Sequence, residues 1–120
     1  MKIASCNSDE ATNLVKLIDP TIGISCSAFN RNNKNYVGLD LIVVPKMKRK
    51  QGLGSKSLEM LSNWADTNNI ILYLSPSNSF GATSTSRLVK FYKRFGFVFN
   101  KGSNKDWTIS DLMIRYPKKQ

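Results

Sequence analysis

The spacing of apolar positions changes from block to block along this chain, and each change marks an element. Ser8 reads as an N-cap, with Asp9 and Glu10 in the first turn of a helix running to about Ile18. Leu14, Leu17 and Ile18 form its apolar stripe, and Asp19-Pro20 stops it. Met1 to Ser5 reads as a short strand or a frayed end. Thr21 to Phe29 alternates loosely (Ile22, Ile24, Cys26, Ala28) and predicts a strand. Asn30 to Asn35 holds four asparagines and predicts a hairpin turn. Tyr36 to Val44 is the next strand, and its last residues, Leu41-Ile42-Val43-Val44, are apolar on both faces, which predicts a central buried strand.

A helical period returns at Gly54 or Ser55 and lasts to about Thr67. Leu58, Leu61, Trp64 and Ala65 share one face, whereas Glu59 and Asp66 fall on the solvent side. Asn68-Asn69 ends this helix, and Ile70 to Leu74 is a short buried strand, so strand, helix and strand predict a parallel βαβ unit. Ser75 to Thr85 is a loop rich in Ser, Gly and Pro. Ser84 or Ser86 caps a helix from Arg87 to Phe95, closed by Gly96 at C′. Phe97 to Asn100 and Ser110 to Tyr116 predict a hairpin across a polar turn at Lys101 to Lys105, with Trp64 packed in the core and Trp107 in the hairpin. The fold class is α/β, a mixed sheet flanked by helices, in one domain over residues 1–120.

Composition narrows the chemistry. Cys6 and Cys26 lack a metal-type spacing and the chain has no histidine, so no metal site is predicted and Ser-His or Cys-His nucleophiles are excluded. Both cysteines are read as reduced. Acid–base work falls to Tyr, Asp, Glu, Lys, Cys or water. No apolar run is long enough to span a membrane, and no signal-type segment opens the chain, so a cytoplasmic protein that makes no membrane contact is expected. The net charge of +10 fits a polyanionic cofactor, an acidic partner or nucleic acid. Lys46, Lys48, Arg49, Lys50 and Lys56 form one basic cluster, and Arg87, Lys90, Lys93 and Arg94 form another, read mainly as a solvated helix face.

The first cluster lies where an apolar strand gives way to a glycine loop and a helix. Such a helix N-terminus offers unpaired N–H groups and the positive end of the helix dipole to an anion. Several cations around a phosphate-sized nest point to a ligand with more than one phosphate. Asp40, on the preceding strand, reads either as a general base or as a carboxylate paired with a lysine.

Within that stretch, Arg49-x-x-Gly52-x-Gly54 resembles the pyrophosphate signature of the GNAT superfamily of acetyltransferases. A second segment, Leu88-Val89-Lys90-Phe91-Tyr92-Lys93-Arg94-Phe95-Gly96-Phe97, is similar to the superfamily's C-terminal helix motif. Together they cover about residues 36–116 with matching element order. The resemblance implies a compact GNAT fold and N-acetyltransfer from acetyl-CoA to a primary amine of a protein or small molecule. It implies backbone pairing of the pantetheine arm with Ile42, Val43 and Val44. It also implies a pyrophosphate loop of Lys48, Arg49, Lys50, Gln51, Gly52, Leu53, Gly54 and Ser55, in which Lys48 or Arg49 fills the first position. Arg87 would line the cofactor groove, and Tyr92 would be the acid that protonates the leaving thiolate. Thr85 stands where the superfamily often has an asparagine, a place Asn78 could take. The short region before the central strand implies a reduced N-terminal substrate wall and room for a large acceptor. The compact form resembles acetyltransferases carried by bacteriophages. A nucleic-acid-binding module and a catalytically silent adaptor are the competing readings, and a homodimer is left open.

Overall fold

The computed structural model describes residues 4–48, 51–76 and 85–118. Its elements run α1 (Ala4–Ile18), β1 (Gly23–Arg31), β2 (Lys34–Val43), α2 (Leu53–Asn68), β3 (Ile70–Leu74), α3 (Thr85–Lys93), β4 (Val98–Phe99) and β5 (Met113–Arg115). The strands form one mixed sheet in the order β1-β2-β3-β5-β4. β2 and β3 are parallel, joined through α2 as the pattern predicts, and the other neighbours are antiparallel. The β1–β2 hairpin turns on Asn32 and Asn33, both left-handed (φ 53° and 62°), which explains the asparagines: they enter that region at low cost and give a turn with the twist of the strands.

Alternation along the strands splits the apolar side chains between two faces. Val37, Leu39, Ile70, Leu72, Leu74 and Met113 join Ala11, Val15, Leu58, Leu61, Trp64 and Ala65 in the larger core under α1 and α2. Val89, Phe91, Tyr92 and Phe95 of the α3 region pack at its margin. Tyr36, Ile71, Tyr73, Ile109 and Ile114 form a smaller core on the opposite face, flanked by Phe29.

Several expectations are corrected. α1 starts at Ala4, so Ala4 and Ser5 are helical rather than strand, and Ser8, Asp9 and Glu10 lie past its first turn. Its buried line is Ala11 and Val15, with Leu14 and Ile18 half-buried. Leu17, about 100° around the axis from Ile18, is 81% exposed. α3 starts two residues before the expected Arg87 and ends at Lys93, and Gly96 (φ 95°) closes it in a Schellman arrangement. There the Phe97 N–H donates to the Tyr92 carbonyl and the Gly96 N–H to that of Lys93. Asp66 does not face solvent: both its oxygens accept from the Arg115 guanidinium (2.9 and 3.1 Å), and the Lys118 N–H donates to it as well. Trp107 does not pack in the hairpin but stands 81% exposed.

Candidate active site

β2 is the element on which the site is built. Its first half, Asn35 to Gly38, is bonded to β1 on one side and β3 on the other. Beyond Gly38 the pairing with β3 ceases while that with β1 continues to Val43. The predicted central buried run therefore shifts: Tyr36 to Leu39 are buried, and Leu41 to Val43 are half-buried where, among the described residues, one of their edges has no neighbouring strand. A strand edge without a neighbouring strand offers backbone donors and acceptors that an extended ligand can satisfy.

At the fork, Leu39, Asp40, Leu41, Ile42, Leu74, Ser75 and Tyr92 line a small cavity of about 50 Å³. Asp40 reaches it because the β1–β2 register slips between Ser25 and Cys26, leaving Asp40 as the extra residue of a bulge. Its carboxylate is exposed, with the Ser27 hydroxyl 3.5 Å away. Tyr92 is placed by the last turn of α3, and its ring meets Phe91 and Phe97 edge-on (centroids 5.4 and 5.7 Å). Burial pushes its phenol above the usual tyrosine range, so it stays protonated at neutral pH. Its hydroxyl makes no hydrogen bond among the described residues.

Tyr73 was not singled out by its sequence pattern, which reads as core strand. It lies beside Gly38 in register, and Gly38 lies beside Ser27. A Cβ on Gly38 would sit 2.5 Å from the Tyr73 ring, so only glycine lets the phenol cross β2 and meet the Ser27 hydroxyl at 3.2 Å. Ser27 thus touches both Tyr73 and, more distantly, Asp40. A signal was present in the sequence: Tyr36, Gly38 and Asp40 share one strand face, and a glycine inside a strand marks a close approach.

Next to the fork, Val44, Gly52, Leu53, Gly54, Ser55 and Phe91 enclose a second hollow of about 240 Å³ at the N-terminus of α2. Gly52 is the N-cap in the left-handed region (φ 74°), and no side chain among the described residues caps the helix. The N–H groups of Leu53, Gly54 and Ser55 have no acceptor among the described residues, as expected of a first turn. A Cβ on Gly54 would meet the Phe91 ring at 3.7 Å, an ordinary contact. Two of the expected loop positions are otherwise engaged. Lys48 sends its ammonium to Asp19 (3.0 Å) and Thr21 (3.1 Å) and its N–H to the Pro45 carbonyl. The Gln51 N–H points to the Lys48 carbonyl at 3.4 Å. Arg87 is exposed on α3. Arg49, Lys50 and Asn78 lie outside the described residues.

A larger open groove of about 520 Å³ runs along the outer side of α2 by Met60 and Trp64, but it holds none of the groups gathered at the fork. Among the described residues, no cluster of acidic, cysteine or histidine side chains suits a metal ion, and no helix is long and apolar enough to cross a membrane.

No protein-family profile matches the sequence, and no curated protein matches it. Likeness appears among solved structures. Arabidopsis thaliana Naa50, in complex with the bisubstrate analogue CoA-Ac-MVNAL, is 23% identical over 78% of this chain and 60% of its own, with a TM-score of 0.53. A tyrosine-to-phenylalanine mutant of the AtaT toxin, bound to the C-terminus of the antitoxin AtaR, is 16% identical over 79% of this chain and 56% of its own, with a TM-score of 0.45. This chain thus spans about three-fifths of the Naa50 chain. Sheet order, the forked β2 and the Naa50 likeness together show a compact α/β GNAT fold.

Proposed function

We propose that this chain, which has the GNAT acetyltransferase fold, transfers an acetyl group from acetyl-CoA to a primary amine of a protein or small molecule. The observation that carries this reading is the adjacency of two hollows. One is a fork whose cavity contains both Asp40 and Tyr92, and the other is a helix N-terminus with unpaired N–H groups. The Naa50 neighbour, held with a CoA–peptide conjugate, supports the same class of ligand.

Acetyl-CoA supplies an activated thioester. The N–H groups of Leu53, Gly54 and Ser55 suit its pyrophosphate, and the open edge of Ile42 and Val43 suits the amides of its pantetheine arm. Asp40, directly or through water, accepts the proton of the incoming ammonium so that the neutral amine attacks the acetyl carbon. As the C–S bond breaks, Tyr92 delivers its proton to the departing thiolate. Tyr92 sits among aromatic rings and keeps that proton at neutral pH.

The test is release of CoA thiol from acetyl-CoA in the presence of a panel of N-terminal peptides, lysine peptides and polyamines. Turnover is expected with at least one amine class, and Tyr92→Phe is expected to lower kcat about 10²-fold while leaving acetyl-CoA binding intact. Tight acetyl-CoA binding with no turnover on any acceptor would favour a silent adaptor, and equal kcat in the variant would remove Tyr92 as the acid.

A further inference from the structure

The opposite end of β2 carries a second cleft of about 290 Å³ that acetyl transfer does not use. Lys34 and Asp40 are six residues apart on β2, so this cleft is about 20 Å from the fork. Two of the three aromatic groups on its wall are accessible, Trp107 at 81% exposed and Tyr116 at 46%, and the third, Tyr36, is buried. One face of the Trp107 ring carries the Lys105 ammonium at 4.5 Å from the centroid.

The platform is fixed rather than loose. Asn100, only 7% exposed, accepts from the Asp106 N–H and donates to the carbonyls of Asp106 and Ile109, so it braces both sides of Trp107. Asp106 in turn accepts from the Tyr36 hydroxyl (2.8 Å) and the Thr108 N–H (2.9 Å). An indole displayed on a braced loop leaves apolar surface in water that a flat ligand would cover. Among the described lining residues, Lys34 and Lys105 bring two positive charges to the cleft against the one carboxylate of Asp106, whose oxygens are already engaged. A ligand with a flat ring and an anionic group answers both features.

We propose that this cleft binds a nucleotide, free or as one unit of a single strand, with its base stacked on Trp107 and its phosphate on Lys34 and Lys105. Stacking on an exposed aromatic supplies sequence-tolerant affinity, and the two lysines add a salt-dependent contribution. The proposal is independent of acetyl transfer.

The experiment is fluorescence anisotropy of a labelled single-stranded oligonucleotide titrated with the whole protein, with and without saturating CoA to occupy the fork, and with AMP as competitor. Trp107→Ala removes an exposed side chain, so its melting temperature should match the wild type while its affinity for the oligonucleotide falls roughly tenfold. Lys34→Ala and Lys105→Ala should each reduce the slope of log K against log salt by about one. Displacement by AMP supports the proposal with a free nucleotide as ligand. A Trp107-dependent strand that AMP does not displace supports it with the strand as ligand. Equal affinity of wild type and Trp107→Ala for the oligonucleotide overturns it, whatever the acetyltransferase assay gives.

Discussion

The two halves of β2 are built from similar apolar residues and behave differently. Asn35 to Gly38 has a strand on each side, and its residues from Tyr36 onward are buried. Asp40 to Val43 keeps one neighbour among the described strands and stays half-buried or exposed. Position in the sheet, not side-chain type, decides which half is scaffold and which half can take a ligand: a backbone edge becomes available only where the neighbouring strand has diverged. Damage to the clamped half should therefore cost stability, and damage near the forked half should cost binding or turnover with the fold intact.

The largest effect is expected behind the clamped half, where Arg115 of β5 is 2% exposed and holds Asp66 of α2 in a two-pronged ion pair while its Nε donates to the Phe95 carbonyl. Arg115→Met leaves Asp66 charged without its partner and should destabilise by about 3 kcal/mol, a fall in Tm of roughly 10 °C. Thermal unfolding measures this, and a loss under about 1 kcal/mol would show that the pair is not a staple. Next comes Gly38→Ala, whose Cβ would meet the Tyr73 ring at 2.5 Å. Overpacking should cost about 1–3 kcal/mol in urea unfolding. A double-mutant cycle with Tyr73→Leu should recover part of it, and strict additivity would mean that the two do not collide.

The smallest expected effect is in acid. The Arg115 hydrogen bonds hold the Asp66 carboxyl below the usual range, and Thr21, followed by Lys48, lowers that of Asp19 to about 2. A lowered folded-state pKa gives stability that is present above the unfolded value near 4 and is lost as pH falls through the folded value. Unfolding free energy should accordingly drop between pH 4 and pH 2, and Asp66→Asn should flatten part of that slope. A variant with the slope of the wild type would assign the acid sensitivity elsewhere.

Much of the scaffold was legible because its signals are local. The hairpin asparagines, the apolar period of α2, the run Ile70 to Leu74 and the glycine after α3 each specify their own element. What escaped depends on contacts distant in sequence. The exposure of Leu17 follows from which side of α1 meets the sheet, and the ion pair of Asp66 from a partner 49 residues away. The pairing of Lys48 with Asp19, 29 residues away, likewise appears only in the fold. Of the candidate site, the glycines of the loop from Gly52 to Ser55 stand out in the sequence, whereas the cavity that Asp40 and Tyr92 share appears only in the fold. The neighbours that shape it, Ser27 and Tyr73, could be joined to it only once the strand register was known.

The central claim is that the fork and the N-terminus of α2 form one site for acetyl-CoA. The most direct test is the melting temperature of wild type and Gly54→Val, each with and without acetyl-CoA and with ATP as a control of similar charge. At about 100 times its Kd, acetyl-CoA should add roughly 2.7 kcal/mol to the wild type, a rise of several degrees that ATP does not match. In Gly54→Val, whose unliganded protein should still fold cooperatively, the shift should be lost because the added side chain blocks approach to the first-turn N–H groups. No shift in the wild type, or an equal shift in both proteins, would contradict the account.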